Sequence, residues 1–170
     1  MRVISGIARG TKLLAPKIGT RPTSDRAKES IFNIIAERIP DSNFLDIFAG
    51  SGAIGIEALS RRARHAVFID NSKEAIKIIR QNLEKTKLSD RATIFDDILK
   101  IGRQVAAPTF DIIFMDPPFD KNLIEPTLDI IISKNILSPT GLIIVEQPTG
   151  ANLTGQSDDH CRGELCSPDF

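Results

Sequence analysis

The sequence predicts an α/β fold, a doubly wound and mostly parallel sheet, and three observations carry that prediction. Short apolar, β-branched runs alternate along the 170-residue chain with stretches whose apolar residues recur at helical spacing. A glycine-rich turn, Gly50-Ser51-Gly52-Ala53-Ile54-Gly55, stands between the first such run and the helix after it. The later runs break off at carboxylates (Asp70, Asp96-Asp97, Asp116), the edge at which open α/β sheets place their sites.

In chain order, Arg2-Val3-Ile4-Ser5-Gly6-Ile7-Ala8-Arg9-Gly10-Thr11-Lys12-Leu13-Leu14 reads as a small hairpin studded with cations, its β-like runs separated by Gly6 and Gly10. Pro16, Gly19 and Pro22 mark a loop that carries Lys17 and Arg21. From Ser24 the period changes: Ala27, Ile31, Ile34 and Ile35 share one helical face, and Pro40 ends it. The first strand is Phe44-Leu45-Asp46-Ile47-Phe48, followed by the glycine turn and a helix through Ile56 and Leu59 to Arg62. Ala66-Val67-Phe68-Ile69 is the second strand. Asn71 then caps a helix with Glu74 three residues on and Ile76, Ile79 and Leu83 as its stripe. Ala92-Thr93-Ile94-Phe95 is the third strand and Phe110-Asp111-Ile112-Ile113-Phe114-Met115 the fourth. Leu123, Ile124, Leu128, Ile131 and Ile132 give a further helix face, and Gly141-Leu142-Ile143-Ile144-Val145-Glu146 is the fifth strand. Residues 149–170 are polar without period and are expected to form a loose or disordered tail.

Composition narrows the function. Lys plus Arg and Asp plus Glu balance at 22 each, but residues 1–38 hold eight basic against three acidic side chains while residues 105–170 hold three against ten. The N-terminal end is therefore the candidate polyanion surface. Two cysteines, Cys161 and Cys166, make no disulfide framework. No apolar run approaches the roughly 20 residues of a membrane helix, and no signal peptide shows, so a soluble cytoplasmic protein is expected. Trp and Tyr are absent, so stacking on bases would fall to Phe or Arg. His65 is expected to be structural or solvent-facing, and His160 with the two cysteines too unsupported to hold a metal.

The chemistry gathers at the strand ends. Asp116-Pro117-Pro118-Phe119 closes the fourth strand: two prolines hold a stiff turn that offers a carboxylate, carbonyls freed from the ladder and a ring. That set suits a planar exocyclic amine, although a plain prolyl turn has the same sequence. The glycine turn with Asp70 some 20 residues on fits a dinucleotide site, and equally any adenosine cofactor whose ribose hydroxyls a carboxylate takes. Asp46 would repel a pyrophosphate and attract a cationic amino-acid moiety, which favours S-adenosylmethionine; a helix-capping or salt-bridged role is the alternative. Asp97 stands where it can accept from an adenine amino group with Ile98 against the ring, or cap the turn that follows.

These motifs together make the chain similar to class I S-adenosylmethionine-dependent methyltransferases, and more narrowly to the bacterial 16S rRNA guanine-N2 methyltransferase (RsmD-type) family. The resemblance covers residues 1 to about 147 and rests on Arg9-Gly10, Arg21-Pro22-Thr23, Arg26, Glu29, Phe32-Asn33, Leu45-Asp46, Phe48-Ala49-Gly50-Ser51-Gly52 and Asp116-Pro117-Pro118-Phe119. It implies a Rossmann-like fold in three parts: an RNA-docking hairpin and helix (1–40), the methyltransferase domain (41–148) and the tail (149–170). It implies Asp116, Pro117, Pro118 and Phe119 as catalytic residues. Asp46, Phe48, Gly50, Ser51, Gly52, Asp70, Asn71, Asp97 and Ile98 would hold S-adenosylmethionine, and Arg2, Arg9, Lys12, Lys17, Arg21 and Arg26 would hold RNA. The implied substrate is a guanine N2 of 16S rRNA, free or in the assembling small subunit, with the protein a monomer and no metal needed. Family members continue into a helix and an antiparallel strand pair, whereas this chain turns polar after Pro148; its C-terminal strands are expected to be missing through truncation or a shifted frame. The rival readings are an adenine-N6 or cytosine-N4 nucleic-acid methyltransferase, an NAD-dependent dehydrogenase lacking an evident acid/base, and a non-catalytic RNA-binding module.

Overall fold

A computed structural model describes residues 1–15, 25–100, 109–118 and 122–147. Strands β1 (Asn43–Ile47), β2 (His65–Ile69), β3 (Ala92–Phe95), β4 (Phe110–Met115) and β5 (Leu137–Val145) form one sheet in the order β3-β2-β1-β4-β5, each neighbouring pair parallel. Helices α1 (Asp25–Ile34), α2 (Ala53–Ser60), α3 (Lys73–Thr86) and α4 (Ile124–Ser133) complete it. Because side chains alternate along a strand, the apolar runs feed two cores. Phe44, Ala66, Phe68, Ile112 and Phe114 pack with α2, α3 and the N-terminal segment on one face. Leu45, Ile47, Val67, Ile69, Ile113 and Met115 pack with Ile124, Leu128 and Ile131 of α4 on the other.

The predicted strands and helices are all present, with differences that have local causes. Asn71 is not the cap of α3: Ser72 is extended and its Oγ accepts from Ala75 N–H at 3.3 Å, while Ser72's own N–H goes to Asp70. Phe48 lies outside β1, at φ 63°, where the chain leaves the ladder to enter the turn. Helix α2 stops at Ser60, and Arg62 has turned left-handed at φ 77°. The buried face of α1 is Lys28 and Phe32, continued by Ile35 and Ile39, whereas Ile34 is 59% exposed. Ile132 of α4 likewise faces outward. Strand β5 begins at Leu137, four residues before the expected start, and the extra pairing Phe110–Leu137 is accommodated by a register shift between Phe110 and Ile112. The expected tail, and the question of strands beyond the fifth, lie outside the described residues.

The N-terminal hairpin closes through Val3 N–H to Thr11 O (3.0 Å), Gly10 N–H to Val3 O (2.9 Å) and an antiparallel bridge between Arg2 and Lys12. It lies along α2. Ile4 and Ser5 N–H donate to Glu57 Oε2 and Oε1 at 2.8 and 2.9 Å, and Ile7 N–H to Ser60 O at 2.9 Å. At Gly6 (φ 83°) a Cβ would stand 1.9 Å from Ser60 O, so only glycine permits this approach. Lys28 and Glu57, both 0% exposed, meet at 3.3 Å; Lys28 Nζ also donates to Arg2 O, and Arg61 Nε reaches Glu57 Oε1 at 2.9 Å.

Candidate active site

The sheet's topology fixes where a site can form. Chain order runs outward from β1 to β2 and β3, then returns to place β4 on the other side of β1. The crevice at that switch point is bounded by the residues that follow β1, β2 and β4. The register sets Ile47, Ile69 and Met115 level with one another, so Phe48, Asp70 and Asp116 leave the sheet side by side.

The glycine turn is built from both sides. Asp70 spends its carboxylate on backbone: Oδ2 accepts from Gly50 N–H at 2.8 Å and Oδ1 from Ser72 N–H at 2.9 Å. Ala49 N–H bonds Ile69 O at 3.0 Å and Gly52 N–H bonds Ala49 O at 2.7 Å. Gly50 and Gly52 have φ of 55° and 74°, a region L-residues avoid. The glycines differ in what surrounds them. Cβ atoms on Gly52 and Gly55 would meet Phe68 at 3.3 and 2.3 Å, so these two serve the packing of α2 on the sheet. A Cβ on Gly50 would meet only Phe48 O, at 4.0 Å, which leaves that stretch of backbone open to a ligand.

Asp46 is buried beneath the turn, and its Oδ2 accepts from Gly55 N–H at 2.9 Å in the first turn of α2. The capping role foreseen as an alternative is thus realised, and the carboxylate complements the helix N-terminus. Burial pushes its carboxyl up to about 7; the bond from Gly55 opposes the rise, and the carboxylates of Asp116 and Asp70 add to it. Asp116, half-buried after Met115, is pushed up to about 6 by burial and by Glu146. Glu146 N–H bonds Met115 O at 2.9 Å, so the end of β5 brings a carboxylate to the Asp-Pro-Pro turn. Sequence reasoning left Glu146 out of the site, though its place at a strand end was the available signal.

The remaining predicted residues are spread around this edge. Pro117 is buried and Pro118 exposed, Asn71 is exposed beside Asp70, and Ser51 lies between the two left-handed glycines. Asp97 Oδ1 accepts from Leu99 N–H at 2.8 Å and caps the short turn Ile98–Lys100, and Ile98 packs against the α4-side core. Arg2 (3.6 Å from Asp25), Arg9 and Lys12 are exposed along the hairpin, and Arg26 is exposed on α1. Phe119, Lys17 and Arg21 lie outside the described residues. His65 Nε2 meets Thr93 Oγ1 at 2.9 Å, and burial lowers its pKa. Among the described residues no group of three His, Cys, Asp or Glu could hold a metal ion, and no helix is long and apolar enough to cross a membrane.

A parallel sheet of this order, with a glycine turn at its switch point and an Asp-Pro-Pro turn beside it, defines a class I methyltransferase. The comparisons with known proteins carry this further. The chain belongs to the family described as conserved hypothetical protein 95, matched over residues 1–160, and proteins named ribosomal RNA small subunit methyltransferase D are among its relatives. It is 40% identical over 152 residues to ribosomal RNA small subunit methyltransferase D of Haemophilus influenzae, covering 86% of this chain and 78% of that protein. The protein of the same name from Escherichia coli K12 is 38% identical over 147 residues, covering 86% and 74%. A solved structure of the Escherichia coli protein yhhF superposes with a TM-score of 0.77 at 36% identity, covering 90% of this chain and 85% of that one.

Proposed function

We propose that this protein transfers a methyl group from S-adenosylmethionine to the exocyclic N2 of a specific guanine in 16S rRNA, free or within the assembling small subunit, acting as a monomer in the cytoplasm. The observation that carries the reading is the gathering of Asp46, Asp70, Asp116 and Glu146 around an open glycine turn at one sheet edge. Their mutual repulsion favours a cationic ligand over the pyrophosphate of a nicotinamide dinucleotide, which weighs against the oxidoreductase alternative. The names of the relatives supply the substrate class.

The open backbone at Gly50 and the remaining lone pairs of the Asp70 carboxylate would hold the cofactor, with Asp46 acting through its charge from beneath the turn and Phe48, Ser51, Gly52, Asn71, Asp97 and Ile98 around it. When bound, S-adenosylmethionine supplies an electrophilic sulfonium methyl. The chain's own residues then act mainly by alignment. Asp116, ionised at neutral pH, accepts from the amine N–H together with the Pro117 carbonyl, drawing the nitrogen lone pair out of ring conjugation. Pro117 and Pro118 keep that pair of acceptors rigid, and the ring of Phe119 stacks on the unstacked base. Arg2, Arg9, Lys12, Lys17, Arg21 and Arg26 contact phosphates and position the RNA without reading its sequence.

Incubation with methyl-labelled S-adenosylmethionine and 16S rRNA or small subunits, followed by nucleoside analysis, tests the reading. Label in N2-methylguanosine is expected. Label in N6-methyladenosine or N4-methylcytidine would move the protein to the rival methyltransferases. RNA binding with no affinity for S-adenosylhomocysteine would make it a non-catalytic RNA-binding module.

A further inference from the structure

Helix α3 carries a side chain that the proposed reaction does not use. Asn82 is completely buried, and every hydrogen-bonding position of its carboxamide that the structure fills is filled by backbone from elsewhere in the chain. Oδ1 accepts from Leu14 N–H at 2.8 Å, and Nδ2 donates to Leu14 O at 3.0 Å and to Ser51 O at 2.9 Å. One amide therefore pairs with the end of the N-terminal hairpin, as a strand neighbour would, and with the residue between the two left-handed glycines of the turn. Ser51 also meets the same segment directly, its Oγ lying 3.8 Å from Met1 Sδ.

The geometry has a consequence. The turn is fixed from the β2 side by Asp70 on Gly50 N–H and from the α3 side by Asn82 on Ser51 O. If residues 1–14 lift from their seat, Asn82 keeps one partner and loses two, and water reaches the side that Leu14 covered. The carboxamide, no longer fixed on that side, is free to turn toward other partners. The Ser51 carbonyl is then no longer held.

We infer that Asn82 is a positioning residue: it holds the glycine turn in its ligand-ready shape only while Leu14 is seated, so occupancy of that turn and seating of the basic N-terminal segment reinforce one another. The inference rests on the cofactor reading given above, and it implies that RNA engaging the segment and cofactor engaging the turn are positively coupled in equal measure in both directions.

The test uses the full chain with S-adenosylhomocysteine as probe. In the wild type, hydrogen exchange at Leu14 N–H should slow when the probe binds, although Leu14 lies outside the proposed cofactor set. Asn82→Ala, which removes all three of these bonds, and Leu14→Pro, which removes the N–H and sets a ring carbon where it pointed at Asn82 Oδ1, should each weaken the probe about tenfold, the worth of the one hydrogen bond that holds Ser51 O. Each should raise KM for S-adenosylmethionine with kcat at saturation little changed, and the double variant should bind no worse than Asn82→Ala alone. Unchanged Leu14 exchange in a wild type that binds the probe overturns the inference, and so does a folded Leu14→Pro chain with undiminished affinity. Leu14 exchange decides the question even where a variant fails to fold. A wild type that binds no probe overturns the cofactor reading and this inference with it.

Discussion

Replacing Lys28 with Met tests whether the N-terminal segment is an integral part of the fold. The aliphatic stem is kept and the ammonium removed, so packing beside Phe32 changes little while Glu57 loses its 3.3 Å partner and Arg2 O loses its donor. Breaking a fully buried pair from one side costs about 3–5 kcal/mol. Glu57 still accepts from Arg61 at 2.9 Å and from the Ile4 and Ser5 amides, so the lower end, about 3 kcal/mol, is expected. For a domain of this size that is a fall in Tm of about 6–12 °C. The double variant Lys28→Met/Glu57→Leu is the sharper test. Buried ion pairs can often be exchanged for apolar residues without loss, but here the exchange strands two main-chain N–H groups and Arg61. Each stranded donor costs about 1–3 kcal/mol, so the double variant should be no more stable than the single one. Urea unfolding followed by circular dichroism measures both. A double variant as stable as wild type would refute the claim that Glu57 is held in place for its four donors.

Three further outcomes are expected. Asp116→Asn should bind S-adenosylhomocysteine as wild type does and lose about 10²-fold in kcat, an effect of the size seen when one oriented electrostatic partner is removed; equal kcat in a methyl-transfer assay would remove Asp116 from the chemistry. Because the native Asp46 carboxyl sits at about 7 against an ordinary 3.8, the folded state retains a proton across that window that the unfolded chain has released. Unfolding free energy should therefore fall as pH rises from about 4 to about 7, and Asp46→Asn should reduce the slope to the part that Asp116, raised to about 6, supplies, and exceed wild-type stability at pH 8 while weakening cofactor binding; a wild type with no slope in urea titrations across that range would contradict it. Gly55→Ala sets two effects against each other: helix propensity favours Ala by about 1 kcal/mol, but the Cβ would lie 2.3 Å from Phe68 Cε1, and overpacking costs about 1–3 kcal/mol or more. A net loss of stability is expected, partly recovered by Phe68→Leu.

Most of the sheet was legible because its strands are apolar on both faces and its turns are spelled in local chemistry: glycines after Ile47, a carboxylate after Ile69, prolines after Asp116. What escaped depends on partners far along the chain. A lysine on α1 reads as a solvated position, and Glu57, 29 residues on in a mostly apolar helix, together with Arg2 O makes Lys28 a core residue; the apolar count then favoured Ile34, which is exposed. Asn82 shares a helix face with Ile79 and Leu83, and nothing near it announces that Leu14 and Ser51 need it. Ser72 and Asn71 are adjacent residues of equal capping aptitude, and the choice between them is made by Asp70 taking the Ser72 amide. The early start of β5 was hidden by Pro139, which the outermost of the described strands tolerates.

The seat of the hairpin also sets an order of events during synthesis. Residues 1–14 pair with Glu57 and Asn82, contacts spanning 53 and 68 positions. At translation rates of about 5–20 residues per second, the end of the hairpin waits roughly 3–14 s before Asn82 has been made, and longer before α3 can present it. The segment is thus fixed only after about half of the 170 residues have been made. Throughout that interval its cations are free while the nascent chain is still on the ribosome.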